Sequence, residues 1–139
     1  MQFSRCSILL TAADVPAARD FYVRNLDLRV NADIGWFVGL ERSDRPRDHF
    51  EMALVAAGHE TLPPTRRAPT DGLVLAFEVE DARALADGFE TRGLPLLGEL
   101  VDQPFGQRRF YVAAPDGVTL EFFQSIPPDP KWMRDNGFD

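Results

Sequence analysis

The sequence has a single cysteine, Cys6, which excludes an internal disulfide and any cysteine-based zinc site. It has no long apolar run. Runs such as Ile8 to Leu10 and Leu73 to Phe77 are far too short to span a bilayer, so no membrane association is expected. The N-terminus lacks a basic stretch followed by a long apolar segment, so no signal peptide is expected and the expected compartment is the cytoplasm. Basic residues are in the minority: 15 Lys and Arg face 22 Asp and Glu, for a net charge of −7. That balance disfavours a phosphate backbone as partner, so no nucleic acid is expected. An acidic surface attracts cations or simply keeps a protein soluble. There are only two histidines, His49 and His59. No glycine-rich phosphate loop precedes a helix, and no Gly-x-Ser-x-Gly elbow is present.

What is present is a repeat. The 139 residues are 45% hydrophobic and 27% charged, which suits one globular domain. The chain opens on the stretch Phe3 to Thr11, strand-like at Ile8 to Leu10. Asp14 then reads as a helix N-cap with Pro16 in the first turn, and Ala18, Phe21, Tyr22 and Leu26 recur at helical spacing. The second half repeats the plan. Leu73 to Val79 reads as a strand, Asp81 as a cap, Ala82, Leu85 and Phe89 as one helix face, and Gly93 as the helix stop. Asp14 and Asp81 are 67 positions apart, as are Tyr22 and Phe89.

Short β-like runs follow each helix: Leu28 to Asn31, Trp36 to Leu40 and Phe50 to Val55, then Leu96 to Leu100, Arg108 to Ala113 and Val118 to Gln124. Asp116-Gly117 is a hairpin signal. The expected fold is α+β, with two tandem βαβββ modules forming a curved mixed sheet around a cup and helices on the convex face. The expected boundaries are a single domain at 1–126, with module one at 1–57, a linker at 58–71 and module two at 72–126. A C-terminal extension follows at 127–139. The linker holds Pro63, Pro64 and Pro69 and no periodicity, so it reads as a surface connector. Trp132, Met133 and Phe138 in the extension need cover, from their own domain or from a partner subunit.

These residues resemble a known family. A strand followed by Asp14-Val15-Pro16-Ala17-Ala18-Arg19-Asp20-Phe21-Tyr22, with the plan repeated, is similar to the vicinal oxygen chelate superfamily of glyoxalases, extradiol dioxygenases and bleomycin-resistance proteins. The most specific stretch is Phe105-Gly106-Gln107-Arg108-Arg109-Phe110-Tyr111-Val112-Ala113-Ala114-Pro115-Asp116-Gly117, running into Leu120-Glu121-Phe122. It most resembles the bleomycin-resistance branch. Ala114 departs from the family's usual Asp before the Pro.

The resemblance implies where a metal would be held in metal-dependent members. The four ligand positions fall at Ser7, Ala53, Val74 and Glu121, of which only Glu121 is a normal ligand. The set argues against a metal, and no cofactor is expected. A weak alternative set is His49, Glu51 and Glu121, since His49 and Glu51 share the strand face of Ala53. His49, however, lies about 13 Å along the strand from position 53, in a loop-like stretch. Its plainer reading is a solvated histidine, and His59 has no visible partner.

Anchored on those positions, alternation turns Ser7, Leu9, Thr11, Glu51, Ala53, Val55, Val74, Ala76, Glu78, Thr119, Glu121 and Phe123 toward the cup. Cys6 falls on the other face and reads as core. Trp36, Phe37, Phe105 and Tyr111 are candidate aromatic walls, or else plain core. Arg108 or Arg109 is the candidate partner for Glu121, because an unpaired buried carboxylate is costly. Three functions compete. The first is metal-independent sequestration of an aromatic or cationic small molecule in the cup, as in antibiotic-resistance members. The second is a metal-dependent lyase, isomerase or dioxygenase with a non-standard ligand set. The third is a metal-free enzyme with Glu121 as general base. The expected partners are a small-molecule ligand and, by analogy, a second copy in a homodimer that covers exposed strand edges.

Overall fold

Asp14 and Asp81 start their helices by the same bond. Each side chain accepts from the amide three residues on, Ala17 N–H and Ala84 N–H, at 3.0 Å in both cases. That satisfies one of the free donors at a helix start. Pro16 adds a preset φ to the first turn of the first helix. In the second helix Gly93, at φ 81°, takes the left-handed position just past the end.

This computed structural model describes residues 1–46 and 50–138. In chain order the elements are β1 (Ile8–Ala12), α1 (Val15–Leu26), β2 (Leu28–Asp33), β3 (Phe37–Arg42) and β4 (Glu51–Ala56). After a short 3-10 turn at Pro64–Arg66 come β5 (Asp71–Glu78), α2 (Ala82–Thr91), β6 (Val101–Gln103), β7 (Gln107–Ala113), β8 (Gly117–Ser125) and α3 (Pro130–Asp135). The fold is α+β, two βαβββ modules in tandem. The chain divides into two compact units, Met1–Asp71 with Ala114–Gly117, and Gly72–Ala113 with Val118–Asp139.

In the first unit the strand order is β1-β4-β3-β2. β1 and β4 are parallel, with Leu9 opposite Ala53 and Leu10 opposite Leu54, while β3 is antiparallel to both of its neighbours. The even-numbered face is the core: Leu10, Val38, Leu40, Met52 and Leu54 are all buried. Helix α1 packs against β2, β3 and β4 and buries Val15, Ala18 and Tyr22. Asp116 binds into this unit, its carboxylate accepting from Ala13 N–H at 3.2 Å.

The second unit has the order β5-β8-β7-β6. β7 and β8 form a long antiparallel ladder, with Phe110 opposite Phe122 and Tyr111 opposite Glu121. Phe89 of α2 meets Phe110 and Phe122 edge-on at 6.0 and 5.3 Å, so those two rings face the helix and form the core.

Two sequence expectations change, the place of Cys6 and the strand at Leu96 to Leu100. Cys6 is exposed rather than core, because β1 begins only at Ile8. The strand expected at Leu96 to Leu100 is reduced to a single bridge between Leu96 and Val112. Gly98, at φ 86°, breaks the run, and the edge strand forms later at Val101–Gln103. The connector is tied down: Leu62 is buried, and Arg67 donates to the carbonyls of Leu62 and Glu60. The extension forms a short helix whose Trp132 packs on Phe105 of its own unit at 5.8 Å. No helix among the described residues is long and apolar enough to cross a membrane.

Candidate functional site

Strand alternation sorts the second sheet into two faces. Phe110, Leu120 and Phe122 face α2 and are buried. Arg109, Tyr111, Glu121 and Phe123 lie on the opposite face and are partly exposed. Arg109 sits opposite Phe123, one diagonal step from Glu121, within reach of a long side chain. Its Nη1 is 3.6 Å from Glu121 Oε1. The side chains are 26% and 12% exposed. The guanidinium carbon also lies 5.2 Å from the Phe105 ring centre and 5.7 Å from that of Tyr111. Arg109 Nε is buried and has no hydrogen-bond partner.

Phe105 is held in place from behind. Gly106, at φ 99°, turns the chain between β6 and β7, and its carbonyl accepts from Ile126 N–H at 2.9 Å. Asp129 N–H binds the Pro104 carbonyl at 2.9 Å. These two bonds fix the start of the C-terminal extension, which brings Trp132 onto Phe105 and Phe138 onto Trp132.

Of the two candidate arginines, Arg109 meets Glu121. Arg108 points to the other face and forks onto Asp102, with bonds of 2.7 and 3.0 Å. That fork holds the Asp102 carboxyl below its usual range and raises Arg108. Val74 and Ala76 of β5 are exposed; Val74 is 52% exposed. Glu78 accepts from the Ser125 hydroxyl at 2.7 Å.

The first unit carries its own polar cluster. Glu51 pairs with Arg5 at 3.3 Å and accepts from the Ser7 hydroxyl at 3.5 Å. Directly opposite Glu51 in the ladder is Glu41, which is buried and bound to Arg29 at 2.8 Å. The like charges face each other only because each has its own arginine. Leu9, half exposed, lies opposite half-buried Ala53. Phe37 lies opposite Val55, and Trp36 meets it at 6.0 Å. His59, expected without a partner, stacks flat on Trp36, ring centres 3.8 Å apart and planes 6° apart. Its Nδ1 accepts from Thr61 N–H at 3.2 Å.

The residues do not fit the divalent ion that the resemblance implies for metal-dependent members. Ala53 and Val74 have no donor atom, the Ser7 hydroxyl is used on Glu51, and Glu121 has a guanidinium against it. In the alternative set, His49 lies outside the described residues and Glu51 is engaged by Arg5 and Ser7. Among the described residues no three of His, Cys, Asp and Glu gather into a group that could hold a metal.

Three features escaped the sequence reading: the Arg29–Glu41 pair, the Trp36–His59 stack and the Trp132–Phe105 contact. The choice of Arg109 over Arg108 was available from alternation alone, since 109, 111 and the partner positions 121 and 123 share a face.

The Glyoxalase family model, described as the Glyoxalase/Bleomycin resistance protein/Dioxygenase superfamily, matches residues 6–122. No curated protein matches the chain. Solved structures similar to it include a glyoxalase/bleomycin resistance protein/dioxygenase from Nocardioides, at TM-score 0.68 and 22% identity over 91% of this chain and 87% of that one. Another is lactoylglutathione lyase from Agrobacterium tumefaciens, at 0.66 and 19%, covering 89% and 96%. A virulence protein from Salmonella typhimurium is similar at 0.70 and 19%, covering 91% and 100%. At these identities the likeness is one of fold.

Proposed function

The chain belongs to the glyoxalase/bleomycin resistance protein/dioxygenase superfamily, and from that membership we propose that it is a metal-independent binding protein, holding a small organic molecule on the open face of its second sheet around Arg109 and Glu121. One observation carries this reading. The cation against Glu121, the residue that the resemblance puts at the family's carboxylate position, is an arginine of its own sheet, 3.6 Å away. Two like charges that close repel by about 4 kcal/mol at an effective dielectric near 20, and a divalent ion doubles that. An incoming metal would also strip Arg109 of its partner. The surroundings suit an organic ligand: Phe105, Tyr111 and Phe123 supply ring surface, and the ion pair supplies orientation.

No covalent chemistry is required of such a protein; binding alone sequesters the ligand. On the same reading it acts in the cytoplasm as a homodimer that covers open strand edges. The test is a fragment screen by thermal shift, run on protein dialysed against chelator and on protein supplied with Zn²⁺, Mn²⁺ or Ni²⁺. The expected result is ligand stabilisation that is the same in both and weakened by Arg109→Gln. Stoichiometric metal bound through Glu121, or ligand response only in the metal-supplied protein, overturns it.

A further inference from the structure

The binding reading above leaves the ligand open, and the ion pair narrows it. The Arg109 and Glu121 side chains are mostly buried, yet among the described residues neither makes a side-chain hydrogen bond; they meet each other only in the 3.6 Å approach. Arg109 Nε is covered and without a partner. Buried charged groups normally satisfy their donors and acceptors, so a pair this poorly bonded is shaped for a third group. The sign of that group follows from the pair. A cation satisfies Glu121 but is repelled by Arg109, and an anion the reverse. A neutral group that accepts at one atom and donates at the next satisfies both. Phe105 and Tyr111 lie beside the guanidinium, so a group that meets its edge has aromatic surface next to it.

We propose that Arg109 and Glu121 recognise a neutral planar ring through a lactam-type edge, its carbonyl accepting from the guanidinium and its N–H donating to the carboxylate. The two protein atoms are 3.6 Å apart, close enough for one amide group to bridge them. The inference depends on the binding reading and refines its ligand from aromatic or cationic to aromatic and neutral.

Four probes of one shape test it by titration calorimetry on the full chain: isoquinolin-1-one, its N-methyl derivative, 1-naphthoate and 1-naphthamidine. The lactam binds the wild type at least tenfold more tightly than the other three. The N-methyl compound, which keeps the ring and the carbonyl but puts a methyl group in place of the donor, reads the edge facing Glu121 without any mutation. Arg109→Gln and Glu121→Gln each weaken the lactam by tenfold or more, with unchanged circular dichroism. Tighter binding of naphthoate or naphthamidine overturns the inference and leaves the binding reading standing. Equal binding of the lactam and its N-methyl derivative also overturns it. If none of the four binds and the wider screen gives no Arg109-dependent ligand, both fall.

Discussion

Asp71 occupies the space in which Gly117 would carry a Cβ. A Cβ built there falls 2.0 Å from Asp71 Oδ1 and 2.6 Å from Asp71 Cα. The start of β5 and the start of β8 touch backbone to backbone, and Gly117 N–H donates to the Thr70 carbonyl at 2.9 Å. Gly117→Ala therefore destabilises the protein by about 1–3 kcal/mol, the usual cost of overpacking. Because the nearest backbone atom belongs to Asp71 itself, Asp71→Ala added to Gly117→Ala restores little. Urea denaturation of the two variants checks this; full rescue by the double variant sinks the backbone argument.

The two helix caps give a matched pair of measurements. Asp14→Ala and Asp81→Ala each remove a 3.0 Å bond to the amide three residues on, at about 1 kcal/mol apiece. Asn keeps the acceptor, so Asp14→Asn and Asp81→Asn lose only a fraction of that. The midpoint of chemical denaturation for the four variants decides it. A loss confined to one helix would mean that the repeats are not capped equally.

Those caps were legible because a cap is a local bond, made between residues three apart. The faces of β1 and β4 were legible for a similar reason: side chains alternate along a ladder, as in Leu10, Met52 and Leu54 on the buried side against Leu9 and Ala53 on the other. Where the ladder stops, the rule stops with it. Cys6 was placed in the core by extending alternation past Ile8, but β4 begins at Glu51 and offers no strand for Cys6 to pair with. The run Leu96 to Leu100 carries three leucines, yet Gly98 turns the chain, and Leu97 stays exposed. The Glu41–Arg29 pair and the Trp36–His59 stack join residues 12 and 23 apart through tertiary packing, which no local pattern encodes.

Tyr22 makes the protein sensitive to alkali. Burial is the main cause that pushes its hydroxyl well above the usual value, and the charge of Asp116 adds to it. The ring is 1% exposed. A raised value in the folded state means that the contribution is complete below about pH 10, where the unfolded tyrosine is still protonated. Above pH 10 the unfolded chain ionises while the folded one does not, so stability falls by up to about 1.4 kcal/mol per pH unit. Tyr22→Phe removes this slope. Denaturation curves between pH 8 and about 11.5 compare the two proteins; parallel loss of stability in both would rule out Tyr22 as the source.

Phe89 is the point where α2 depends on its sheet. It is fully buried, edge-on to Phe110 and Phe122, with the Arg92 guanidinium 4.8 Å from its ring centre. Phe89→Ala costs about 3–5 kcal/mol through lost transfer energy and the cavity it leaves. Phe89→Leu, which keeps most of the volume, costs less than half as much. Equilibrium denaturation orders the two, and equal losses would show that the edge-on ring contacts, rather than volume, hold the helix.

Arg109 should make the protein indifferent to divalent metals. A metal held at a hundred times its dissociation constant stabilises a folded protein by about 2.7 kcal/mol, a shift that a thermal melt reads easily. To reach Glu121 the ion must displace the guanidinium, which would leave a largely buried charge without a counter-ion. It would gain one carboxylate in return, since the neighbouring strand offers Val74 and Ala76. Zn²⁺, Mn²⁺ and Ni²⁺ therefore leave the melting temperature of the wild type unchanged. They leave Arg109→Ala unchanged as well, because removing the repulsion adds no donor. A metal-dependent rise in the wild type that vanishes in Glu121→Ala would mean that Glu121 takes a metal despite its arginine.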